Sequence, residues 1–137
     1  MNEQVNIMIM VDSIQALVDQ RLDGNCFMVD DSRFFSKQKG TLHLDTQCIP
    51  GQLIHWTVKA VDVQTPVSIK QISFEPYQQI FNTTNVENLD ALVWNGIVPY
   101  LGNKQQTYKY KVVLQIGKGK KSTLETFTPS LTILPPY

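Results

Sequence analysis

A chain of 137 residues, 42% apolar and 18% charged, is long enough to bury one core and too apolar to remain disordered. Its twelve basic and twelve acidic residues cancel, so no whole-chain field steers it toward nucleic acid or an anionic membrane, while the missing self-repulsion favours association. One domain over residues 1–137 is predicted, because no repeat, low-complexity segment or linker divides the chain.

The opening residues Met1-Asn2-Glu3-Gln4 carry no basic run, and the apolar stretch from Val5 stops at Asp12. Neither a signal peptide nor a membrane span is expected from them, and a cytoplasmic location is the matching expectation. Val5, Ile7, Ile9 and Val11 alternate with Asn6, Met8 and Met10, predicting an interior strand whose second face is still largely apolar. Asp12-Ser13 then supplies N-cap chemistry, and Ile14, Leu17 and Val18, at i, i+3 and i+4 on one face, predict a short amphipathic helix of two turns that closes near Asp23-Gly24.

A second strand is expected over 25–29, broken by Asp30-Asp31-Ser32. Leu42 and Leu44 alternate with polar neighbours and predict a half-buried strand over 41–45. After the Pro50-Gly51 turn, the run from Leu53 to Val61 alternates β-branched and aromatic residues, predicting a strand with Trp56 in the core. Val67, Ile69 and Ile72 form the next strand, bounded by Pro66 and Pro76.

From Tyr77 to Tyr100 the pattern degrades; Leu89, Leu92 and Val93 fit a helical turn, and the segment is otherwise left unassigned. A long strand over 107–116, a hairpin tip at Gly117-Lys118-Gly119-Lys120, a returning strand over 122–127 and a final strand over 131–134 complete the chain. The fold class predicted is all-β: a β-sandwich of about seven to nine mostly antiparallel strands with a short helix after the first strand.

Chemistry is sparse. His43 and His55 both fall in predicted strands and read as solvent-facing or edge histidines, with no nucleophile placed beside them. Cys26 and Cys48 are too few for a disulfide framework and lack the close pairing of zinc ligands, so two reduced, partly buried thiols are expected. No dinucleotide, phosphate-loop, serine-elbow or zinc-protease motif occurs, and Gly117 to Lys121 lacks the strand-to-helix setting of a phosphate loop.

Two constellations remain open. Asp12, Asp30 and Asp31 sit at strand ends and Asp45 late in the third strand, where they either cap and turn the chain or gather around a hard cation such as calcium. Trp94 and Asn95 either pack beneath the long irregular segment or present an aromatic plate and an amide to a sugar.

Taken in order, several segments resemble one family. Val5-Asn6-Ile7-Met8-Ile9-Met10-Val11-Asp12-Ser13 is similar to the AidA/PixA opening, an apolar strand ending in Val-Asp before a helix. Phe27-Met28-Val29, Gly40-Thr41-Leu42-His43-Leu44 and Pro50-Gly51-Gln52-Leu53-Ile54-His55-Trp56 resemble three of its later strands, and Tyr108-Lys109-Tyr110 with Phe127 to Ile133 its closing pair. The chain departs from that pattern at Gln52 and at Thr128, before Pro129, where the family carries Asp.

The resemblance implies a bacterial, cytoplasmic inclusion-body protein that is not an enzyme, self-associates as a homo-oligomer, and is linked to quorum sensing or host association. No cofactor is implied. The alternative it allows is a lectin-like module binding a carbohydrate, of galactoside type, with calcium as a possible cofactor. Asp12, Asp30, Asp31, Trp94 and Asn95 are the residues that alternative would use.

Overall fold

The computed structural model describes residues 4–74, 81, 83–85, 92–118 and 122–135. Among these lie eleven strands and one helix: β1 Gln4–Val11, α1 Ser13–Asp19, β2 Cys26–Asp30, β3 Asp45–Cys48, β4 Leu53–Ala60, β5 Val67–Ser73, β6 Thr83–Asn85, β7 Val93–Ile97, β8 Gln106–Lys109, β9 Lys111–Ile116, β10 Ser122–Thr126 and β11 Ser130–Ile133. They form a five-stranded sheet in the order β2-β1-β4-β7-β6 and two three-stranded sheets, β10-β9-β5 and β3-β11-β8. The all-β sandwich class expected from the sequence is the class found, cut into more and shorter strands.

β1 is the axis of the large sheet. It runs parallel to β4 in unbroken register from Gln4↔Leu53 to Val11↔Ala60 and antiparallel to β2 on its other side. The period-2 pattern works as expected on the inner face: Val5, Ile7, Ile9 and Val11 are buried, as are Ile54, Trp56 and Val58 of β4. Trp56 is the hinge of the core. Its ring lies 5.6 Å from Tyr110 and 6.3 Å from Phe74, and Phe74 stacks on Phe81 at 4.2 Å. Tyr110 and Phe74 come from chain flanking β9 and β5, so this aromatic group ties the large sheet to its neighbours.

Gly96 in β7 allows that packing. A Cβ there would stand 3.1 Å from Thr83 Cγ2 and 3.3 Å from the Trp56 ring, so a hydrogen at this position lets the indole lie against the backbone.

Several local expectations are corrected. The helix ends at Gln20, which adopts a left-handed conformation (φ 54°) and returns its N–H to Ala16, rather than near Gly24. Its buried face is Ser13 and Ala16, with Leu17 half-buried, whereas Ile14 is 53% and Val18 70% exposed. Asp12 fixes this rotation, since its N–H is held by Asn25 and its side chain caps Gln15; two anchors outweigh the helix's own periodicity.

The segment 41–44 is a turn, because Thr41 Oγ1 donates to the Gln38 carbonyl at 2.9 Å and accepts from the His43 N–H at 3.0 Å. Leu42 and Leu44 are buried all the same. The strand follows them as β3, where buried Thr46 and Gln47 carry no apolar signature.

The long strand expected over 107–116 breaks at Tyr110. Its N–H leaves the ladder for the Pro129 carbonyl at 2.9 Å, so β8 and β11 pair in one sheet while β9 and β10 pair in another. Pro129, with no N–H to donate, marks the matching break between β10 and β11. Val93 belongs to β7 and not to a helical turn, while Leu89 and residues 119–121 of the expected hairpin tip lie outside the described residues.

Candidate functional site

Asp12 is not brought together with the other loop carboxylates. Asp12 follows the C-terminal end of β1, where its side chain caps α1 through Gln15 N at 3.2 Å. Asp30 pairs with Ile7 and Asp31 with Asn6, toward the other end of the same strand. Asp12 stands five positions beyond Ile7, about 16 Å at ~3.3 Å per residue.

Each acid has its own local task. Asp30 accepts from Ser32 N at 3.0 Å and Thr46 Oγ1 at 2.7 Å. Asp31 accepts from the Asn6 backbone N–H at 2.7 Å and its Nδ2 at 2.8 Å. Asp45 accepts from Thr132 Oγ1 at 2.7 Å. Among the described residues no group of three His, Cys, Asp or Glu side chains is spaced to hold a metal.

Trp94 and Asn95 point to opposite faces of β7. Trp94 pairs with Trp56 across the β4–β7 ladder, packs against the core and donates Nε1 to the Ile69 carbonyl at 3.3 Å. Asn95 pairs with His55 on the outer face, its Oδ1 2.7 Å from His55 Nδ1. A plate and an amide separated by the thickness of a strand do not grip one sugar ring.

His43 is exposed in its turn, and His55 is occupied by an amide. Both thiols are free and buried, and burial pushes each up to about 12, with the Asp45 and Asp30 carboxylates adding to the rise at Cys48. Desolvation likewise raises the Tyr110 hydroxyl, which accepts the Trp56 N–H at 3.1 Å. Gln52, where the resembled family carries Asp, is buried and turns inward to accept the Ile49 N–H at 2.9 Å.

The surface feature that the fold does build is the outer face of the large sheet. The strand registers place Thr84, Asn95, His55, Asn6 and Asp31 in one polar row across it, joined at Asn95–His55 and at Asn6–Asp31. Beside that row run Thr57, Met8 and Val29, and then Lys59, Met10 and Phe27. Met8 is 42% and Phe27 38% exposed.

Met8, Met10, Lys59, Ala60 and Val61 line a shallow depression of about 210 Å³. The sequence carried the signal for this face in the apolar second side of β1. β1 is interior in the strand order, and its outer side is open all the same.

Residues 3–123 match a family described as a domain of unknown function, DUF8788. The chain belongs to that family. Its fold is shared with the crystal structure of an inclusion body protein, PixA, from Burkholderia cenocepacia: the TM-score is 0.64 over 98% of this chain and 96% of that one, at 11% identity. That likeness establishes a PixA-like fold, the fold that the resemblance to the AidA/PixA family implied.

A second similarity is to 4-diphosphocytidyl-2-C-methyl-D-erythritol kinase from two strains of Limosilactobacillus reuteri, 29% identical over 82 residues. The chain spans 29% of the length of those kinases, and the match covers 58% of the chain.

Proposed function

We propose that this member of the family is a non-catalytic protein that works by self-association, of the inclusion-forming kind. The observation that carries the reading is that its fold is coextensive with that of an inclusion body protein, each chain covering nearly all of the other. Physical features support it. The net charge is zero, so copies do not repel one another, and large apolar side chains including Met8, Ile14, Val18 and Val61 stand exposed. The buried, protonated thiols and the amide-bound His55 support a protein that binds rather than catalyses. In this reading the protein gathers in cytoplasmic inclusions, in the quorum-sensing and host-associated setting that the resemblance implies.

A carbohydrate-binding role draws less support, because the aromatic and amide groups it needs face opposite ways on β7. Sedimentation velocity of the purified chain from low micromolar to near-millimolar concentration tests the proposal. Concentration-dependent oligomers, with dense bodies on overexpression, are expected; a monomer at every concentration overturns it.

A further inference from the structure

From the outer face of the large sheet we infer that a second copy of this chain docks there about a two-fold axis at Met8, exchanging two Lys59–Asp31 ion pairs. This rests on the self-association reading and names the surface that reading leaves open. The geometry is set by strand register. Met8 sits mid-way along β1; Lys59 lies on β4, level with Met10, and Asp31 lies on the β2 side, level with Asn6. With strands ~4.8 Å apart and ~6.6 Å between alternate residues, the Cα atoms of Lys59 and Asp31 each stand about 8 Å from that of Met8, in opposite directions. Met8 is thus the midpoint of the line from Lys59 to Asp31.

A two-fold contact is self-complementary: whatever residue i meets on the partner, the partner's copy of i meets in return. When two such faces meet about an axis through Met8 and perpendicular to that line, the Lys59 of each copy comes over the Asp31 of the other. Met8 meets its own copy on the axis. The patch between the charges is largely apolar, with Met10, Val29 and Phe27 beside Met8 and Thr57 as its polar member, and Lys59 lines the rim of the Met8–Val61 depression that would receive the partner's carboxylate. Asp31 is exposed yet held by two hydrogen bonds from Asn6, so the charge is fixed in place before the partner arrives. Symmetry doubles every effect, since each ion pair occurs twice.

The test is charge reversal and re-reversal, read by sedimentation equilibrium of the full chain with far-UV circular dichroism as a folding check. Lys59→Glu sets like charges opposite one another and is expected to weaken association about tenfold or more, as is Asp31→Lys. The double variant Lys59→Glu with Asp31→Lys restores opposite charges and is expected to return to within about threefold of the starting affinity. Met8→Asp, which puts two carboxylates on the axis, is expected to abolish association with the fold intact.

If the unaltered chain associates but Lys59→Glu and Met8→Asp associate equally well, this face is not the interface and faces some other occupant, while self-association stands. If Lys59→Glu weakens association and the double variant does not recover it, the Lys59–Asp31 pairing is overturned. If the unaltered chain is monomeric throughout, both readings fall together.

Discussion

The indole Nε1 of Trp56 donates to the Tyr110 hydroxyl at 3.1 Å, with the two rings edge-on at 5.6 Å and both side chains wholly buried. Trp56 belongs to β4 of the large sheet, and Tyr110 is the residue at which the chain crosses from β8 to β9. One hydrogen bond therefore joins the point where the small sheets diverge to the middle of the large one. The Tyr110 N–H holds the same corner from the other side through Pro129. A buried donor and a buried acceptor satisfy each other where neither has water as an alternative.

Tyr110→Phe keeps the ring and removes the acceptor, leaving the Trp56 N–H buried without its partner. We expect a loss of about 1–3 kcal/mol, the cost of an unsatisfied buried polar group, measured by urea unfolding followed through Trp fluorescence. An unchanged midpoint would mean that the indole finds another acceptor.

Gly96→Ala tests the close approach on the same ring at its benzo edge. The added methyl meets Thr83 Cγ2 at 3.1 Å and the Trp56 ring at 3.3 Å. A destabilisation of about 1–3 kcal/mol is expected from overpacking. Thr83→Ser removes the nearer of the two carbons, so in the background of that change the cost of Gly96→Ala is expected to fall, a coupling that a double-mutant cycle by thermal melting resolves.

Asp12 is a helix cap 16 Å or so from Asp30 along the sheet. Asp12→Ala is expected to lower stability by about 0.5–2 kcal/mol, with Asp12→Asn recovering most of that loss, because capping needs an oxygen and not a charge. The melting temperature of the unaltered chain is expected to be the same in millimolar calcium and in chelator. A rise in calcium that Asp12→Ala removes would show that the loop acids converge after all.

These sites explain what the sequence could and could not convey. Alternation identified the buried faces of β1 and β4, including Trp56, because burial of one side of a strand is written in the residues themselves. It did not identify neighbours. Asn95 meets His55 only because β7 pairs with β4 in one register, and Asn6 meets Asp31 only because β2 pairs with β1.

Strand breaks were hidden for a related reason: Tyr110 looks like one more residue of a continuous strand until the partner of its N–H is known. The rotation of α1, which exposes Ile14 and Val18, is imposed by Asp12 and Asn25 and not by helical periodicity. The candidate interaction face lay half in view. Met8 and Met10 marked it as apolar, but only the strand order reveals that the described elements leave it uncovered.

The two thiols give a pH dependence with a definite sign. Burial raises Cys26 and Cys48 from 9.0 to about 12, so the folded chain keeps both protons where the unfolded chain has lost them. Their contribution is complete below pH 9 and is lost as pH climbs from there toward 12, at up to about 1.4 kcal/mol per pH unit for each thiol. Urea midpoints measured between pH 8 and 10.5 are expected to fall more steeply for the unaltered chain than for a Cys26→Ala, Cys48→Ala variant. The comparison of slopes isolates the thiols from tyrosine and lysine titration, and it is independent of the constant penalty for the lost sulfur volume. A thiol-specific disulfide reagent at pH 8 supplies the structural control: neither cysteine reacts in the folded chain, and both react in denaturant. Equal slopes, or rapid reaction of the folded chain, would place at least one thiol in contact with water.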